Sequence, residues 1–191
     1  METIIGLCIG IGLSAACGFR VFVPLLVMSI GAVTGLFEPS KGFAWLAIPS
    51  VCIALAVATI CEIAAYYIPW VDNILDTIAT PAAMIAGTLT TMAVSSGEMS
   101  QFASWAAAII VGGGTASAVQ LSTVAARGVS TATTGGIANP VVSTVEWVSA
   151  AVLSVLAMVL PVIVAVVVIV FIILVIRWIR KKKQENVVRT L

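Results

Sequence analysis

GGGTASAVQLSTVAARGVSTATTGGIANP, residues 112–140, is the stretch on which the reading of the fold turns. Ala, Val, Ile and Leu dominate the flanking chain, yet here small and hydroxyl residues are joined by Gln120, Arg127 and an Asn139-Pro140 step. One side of this stretch is too polar to face acyl chains, so another part of the protein must receive it. A shorter passage of the same kind opens the chain. Leu13-Ser14, small residues and Arg20 stand there against Leu121-Ser122, small residues and Arg127 here.

Composition sets the class. Of 191 residues, 61% are hydrophobic and 9% charged, with a mean hydropathy of +1.21, beyond what a soluble domain with a polar surface reaches. The expected fold is all-α, a polytopic transmembrane helical bundle with broken or half-length helices. The net charge of +1 hides an uneven distribution: Arg177, Arg180, Lys181, Lys182, Lys183 and Arg189 hold six of the nine basic residues. That puts the C-terminus in the cytoplasm. The chain opens Met1-Glu2 with no basic n-region, so the first apolar run reads as a retained span rather than a signal peptide.

Several chemistries drop out. Cys8, Cys17, Cys52 and Cys61 sit in apolar runs at spacings unlike a metal or redox motif and read as buried small hydrophobes. Without histidine, a His metal site, a Ser-His-Asp triad and a His proton relay are excluded. Ser14, Ser117, Ser122 and Thr123 have no visible base beyond Glu62 and Glu146, so no enzyme is expected. No Lys-Ser/Thr follows Gly112-Gly113-Gly114, so no nucleotide-binding loop is indicated. No cofactor, metal or nucleic-acid partner is expected; the lipid bilayer is.

From residue 3 to 35 an apolar segment is interrupted by Gly10, Gly12, Gly18 and the Arg20–Pro24 stretch. Gly6, Gly10 and Ser14, four apart, share a helix face suited to close packing. Arg20 either snorkels to headgroups or, if the helix breaks near Gly18, faces the interior. After a polar turn at 37–42, a span opens with Phe43 and Trp45 and closes with Tyr66, Tyr67 and Trp70 as aromatic belts. Glu62, one turn inside, is either a solvated interfacial residue or part of an internal polar cluster. Residues 68–78 place Val71, Ile74, Leu75 and Ile78 on one face and Asp72 and Asp76 on the other, as in a short interfacial helix with a solvated acidic side.

Thr80-Pro81 reads as a helix start and residues 81–95 as a half-helix. Ser95–Gln101 turns the chain, and Phe102 and Trp105 anchor the next helix. Gly112, Gly113 and Gly114 mark a helix that is broken or very closely packed. Residues 128–138 read as a linker, with Asn139 as N-cap, Pro140 at the first helical position and Glu146 in the second turn. The run 141–179 is too long for one simple span. It kinks at Pro161 or forms two helices meeting there, and the lack of turn chemistry at Met158-Val159-Leu160 favours the kink.

The two halves share an order: an arginine helix, a Glu-bearing helix, a proline and another apolar piece. Residues 1–98 and 99–180 are read as two membrane repeats, inverted about a midplane site, and 181–191 as a basic tail. Small-residue helices also resemble one another by composition alone.

Leu13–Arg20 with Pro24, the segment from Glu62 to Asp76 with its Ile68-Pro69-Trp70-Val71-Asp72 core, and Arg127 with Gly136, Asn139-Pro140, Ser143 and Glu146 resemble a bacterial integral-membrane family, domain of unknown function 4126. The resemblance covers nearly the whole chain and implies a multi-pass protein of the bacterial inner membrane. It brings no established activity.

The leading functional expectation is a small transporter or channel-like protein for a small anionic solute or a lipid headgroup. Arg20, Glu62, Gln120, Arg127, Asn139 and Glu146 would form its substrate-binding or internal polar cluster, the glutamates neutralising the arginines when the site is empty. The alternative is a structural or partner-binding membrane protein whose small-residue faces assemble a homo-oligomer.

Overall fold

The computed structural model describes residues 1–95 and 99–189, and among them the chain is all helical. The side chains of Trp70, Lys182, Lys183 and Arg189, and the middle of the expected turn at 95–101, lie outside the described residues. The helices are α1 (Glu2–Cys17), α2 (Phe22–Val33), a 3-10 segment (Lys41–Ala47), α3 (Pro49–Ala65) and α4 (Pro69–Ala93). A continuous rod follows, made of α5 (Gln101–Ala107), a π-helical stretch (Ala108–Gly113) and α6 (Gly114–Thr134); α7 (Asn139–Val159) and α8 (Pro161–Arg189) complete the chain.

Among the described residues, three helices are long and apolar enough to cross a membrane: Gln101–Thr134, Asn139–Val159 and Pro161–Trp178. The 3-10 segment and α3 make a fourth if they act together, though a bend of 74° between them replaces the straight span expected there. With the composition, these helices mark a membrane protein. The 34-residue rod, at ~1.5 Å per residue, exceeds a ~30 Å hydrocarbon core, which leaves room for its exposed Ser- and Thr-rich end to stand outside.

The first segment does break after Gly18. Both carboxylate oxygens of Glu62 accept backbone N–H groups at the start of α2, Val21 at 2.8 Å and Phe22 at 3.0 Å. A carboxylate at a helix N-terminus satisfies orphan donors and the positive dipole end together. That contact fixes the new helix start and leaves Arg20 in the turn, buried.

Small residues then let three helices come close. Ser14 donates to the Gly87 carbonyl at 2.8 Å and shares a hydrogen bond with Thr91 at 2.9 Å. Thr91 also crowds Gly10, Gly112 lies against Thr91 and Gly87, and Gly113 against Thr88 and Met84. Gly6 is buried. Gly114, expected on the same packing face, has open space where a Cβ would project, so it is not a close-approach position. The glycine run does not break the rod: the π-helical stretch takes it up, and the close packing is made by Gly112 and Gly113.

Further expectations do not hold. Pro81 lies inside α4, which runs unbroken from Pro69, so there is neither a separate interfacial helix nor a half-helix. Residues 128–134 belong to α6, which ends where Gly135 takes a left-handed conformation (φ 64°). Asn139 is not a cap: α7 follows Ala138, and the Asn139 amide turns elsewhere. The run 141–179 is two helices, not one kinked helix. Leu160 (φ −130°, ψ 57°) ends α7, and α8 returns beside it, since Phe171 lines a groove with Val141, Val142 and Val145. Pro161 cannot extend α7 because it lacks the N–H and its ring clashes with the preceding turn. Of the cysteines, Cys17 is buried but Cys61 is exposed.

Candidate functional site

Six helix ends converge on one face: the C-terminal parts of α1, α3 and α6 and the N-terminal parts of α2, α4 and α7. They bring Arg20 from the α1–α2 turn, Glu62 from α3, Asp72 and Asp76 from α4, Arg127 from α6 and Glu146 from α7, while the start of α2 brings backbone N–H groups. Tyr66, in the turn after α3, sits at the centre with two guanidiniums against its ring. The Arg20 Cζ is 3.8 Å from the ring centroid and the Arg127 Cζ 4.3 Å. A ring quadrupole attracts cations at such distances, and more strongly when water is excluded.

Carboxylates close the cluster. The Arg127 guanidinium pairs with Asp72 and with Glu146 Oε2, its Nε donates to Glu146 Oε1 at 3.0 Å, and Nη1 reaches Asp76 at 3.1 Å. Arg20 Nη2 pairs with the same Glu146 Oε2 at 3.0 Å. Asn139 donates to Asp72 at 3.3 Å and to Thr131 at 3.2 Å. Arg20, Asp72, Arg127 and Glu146 are all buried, while the Asp76 side chain keeps 18% of its surface open. The Arg20 Nε has no partner among the described residues.

Around this core, Ser143 donates to the Tyr66 carbonyl at 3.4 Å, Tyr67 shares a hydrogen bond with Thr144 at 2.7 Å, and Trp147 donates to the Tyr67 hydroxyl at 3.3 Å. These bonds tie α7 to the α3–α4 turn. Such redundancy fixes the geometry of a charged cluster, because a half-satisfied one would be costly.

The site therefore unites Arg20, Arg127, Asn139 and Glu146, four of the six residues expected in it. Glu62 lies beside it but serves as the cap of α2. Gln120 is buried apart from it and lines a neighbouring groove. Three members were read otherwise: Asp72 and Asp76 as a solvated face, and Tyr66 as a membrane-interface aromatic. The polar face of α4 is indeed a helical face at i,i+4 spacing, but it meets Arg127 rather than water. No group of His, Cys, Asp and Glu among the described residues is arranged to hold a metal ion. The three carboxylates close on Arg127, which occupies the place a cation would take.

The charge count has chemical content. Two guanidiniums face three carboxylates, one negative charge in excess when all are ionised. An uncompensated charge in a buried site costs several kcal/mol, and Asp76 is the acid of the three with the largest share of its surface open.

A search of the curated proteins and of the solved structures finds no match. A family model, described as domain of unknown function (DUF4126), matches residues 7–181, a range that takes in every member of the cluster. The chain belongs to that family.

Proposed function

We propose that the protein is a small multi-pass membrane transporter or channel-like protein in which the Tyr66-centred cluster is a closed latch, its basic C-terminal end lying in the cytoplasm of a bacterial cell membrane. The observation that carries this reading is the carboxylate surplus at a site where ends of six helices meet and one acid, Asp76, remains partly open. Two arginines facing Glu146 alone would favour an anion; with Asp72 and Asp76 added the balance reverses to one negative charge in excess, and a small cation or proton is the better-matched solute. Charged groups inside a membrane protein mark ion and proton pathways more often than they serve packing.

The two halves, 1–98 and 99–180, each supply one arginine. Both α1 and α6 run toward the cluster, so a duplication relating them keeps these helices parallel rather than inverted. Reconstituted vesicles loaded with a pH-sensitive or potassium-sensitive dye test the reading. Asp76→Asn, which keeps the shape and removes the surplus charge, is expected to lower flux at least tenfold while the protein still elutes as a single species in detergent. Flux equal to wild type in this variant removes Asp76 from the pathway.

The near-complete pairing of the guanidiniums favours a second reading, a structural membrane protein that assembles as a homo-oligomer. Under it, vesicles show no flux above protein-free controls.

A further inference from the structure

A groove of about 520 Å³ opens between α3 and α4 beside the ionic cluster. That is within the range that buries a drug-sized ligand. Its rim is apolar and exposed, with Phe22, Cys61 and Ile78, and its floor is polar and buried, with Arg20, Tyr66 and Gln120. The rim is thus an exposed apolar surface, extended by Ile60 and Ile74 beside it in sequence, of the kind that suits an acyl chain.

The floor holds unspent hydrogen-bonding capacity. Gln120 is 5% exposed, and among the described residues its side-chain amide makes no hydrogen bond, while its backbone carbonyl accepts one from the Thr123 hydroxyl. Arg20, 2% exposed, also lines the groove, and its Nε–H lacks an acceptor. Of these atoms the Arg20 Nε is the one buried and unpaired, which costs about 1–3 kcal/mol. Both charges of the groove are already compensated, Arg20 by Glu146 and Glu62 by two backbone N–H groups. An anionic head entering here would meet the Glu62 carboxylate with no free cation to balance it. A neutral head with both a hydrogen-bond donor and a carbonyl acceptor meets the Gln120 amide on equal terms.

We infer that this groove is a binding site for a neutral diacylglycerol-type lipid, whose hydroxyl and ester end bonds Gln120 at the floor while an acyl chain leaves through the Phe22, Cys61 and Ile78 rim. The direction of insertion, polar end inward and chain outward, is the reverse of a lipid held by its headgroup at the water boundary.

The test uses the full chain in phosphatidylcholine vesicles with a diacylglycerol carrying a photoreactive diazirine in one acyl chain, and maps the labelled residues by mass spectrometry. Labelling is expected to concentrate on residues 58–65 and 75–82, several-fold above the exposed α8 residues Val162, Ile163, Val166 and Val167. Excess unlabelled dioleoylglycerol should compete it away. Gln120→Leu should lower it several-fold, and Ala82→Trp, which fills the groove, should abolish it. If Ala82→Trp does not give monodisperse protein, Ala58→Phe on the opposite wall replaces it with the same expectation. Labelling no denser here than on α8, labelling unchanged by Gln120→Leu, or equal labelling by diazirine fatty acid or phosphatidic acid overturns the assignment. None of these readouts depends on flux, so the result stands apart from the transport reading.

Discussion

Arg127 is the residue with most at stake, because three carboxylates from two helices converge on one guanidinium. Removing a single partner from a buried ion pair costs about 3–5 kcal/mol, since the remaining charge is left uncompensated. Here Asp72 and Asp76 would both lose their cation, while Glu146 keeps Arg20. Arg127→Met is thus expected to destabilise by at least that amount, read as a lowered melting temperature in detergent. Asp72→Asn leaves Arg127 two acids and should cost much less, so equal losses in the two variants would refute this hierarchy. Arg20, Arg127 and Glu146 were legible in the sequence because a lone charge deep in an apolar run has few places to go. Asp72 and Asp76 were not. An acidic i,i+4 pair opposite an apolar stripe looks the same whether it meets water or a buried guanidinium, and only the partner helix decides between them. Tyr66 was hidden for a related reason, since its position near a span end is equally suited to a headgroup contact.

At the scale of elements, the contact between α4 and the rod depends on glycines whose roles differ. A Cβ at Gly87 would stand 2.6 Å from the Ala116 Cβ and 2.8 Å from the Gly112 carbonyl oxygen, whereas one at Gly114 meets nothing within 4 Å. Gly87→Ala is expected to destabilise by about 1–3 kcal/mol through overpacking. Gly114→Ala, in a helix with room for the methyl, should be neutral or stabilise by up to about 1 kcal/mol. Thermal melting of the two variants checks the contrast, and a loss at Gly114 matching that at Gly87 would contradict it. The sequence singled out Gly112, Gly113 and Gly114 but not Gly87, and could not rank them, because small-residue spacing reports a face and not its neighbour. Prolines misled in opposite directions. Pro81 is carried inside α4 although it reads as a helix start, while Pro161 ends a helix although the chain around it has no turn residues. In an apolar protein a sharp reversal can be made by hydrophobic residues, since the turn is packed rather than solvated; Met158 of this reversal touches Gly31 where a side chain would begin.

For the whole molecule, the arrangement of helices follows from placing every stranded charge in one location. The C-terminal parts of α1, α3 and α6 and the N-terminal parts of α2, α4 and α7 converge there, and the hairpin of α7 and α8 sends the basic C-terminal end to the same side. All-α class and membrane character were readable from composition, because they depend on sums over the chain. The pairing of the two arginine helices across Tyr66, and their parallel course, needed the structure, because they depend on which distant residues meet. The cation preference proposed here depends on that meeting. Its most direct measurement is the relative permeability of wild-type protein in vesicles or planar bilayers under a potassium chloride gradient. The surplus carboxylate predicts a potential moving toward the cation equilibrium value, or proton flux where potassium is excluded; a potential moving toward the chloride value, or no flux of any of the three ions, would contradict it.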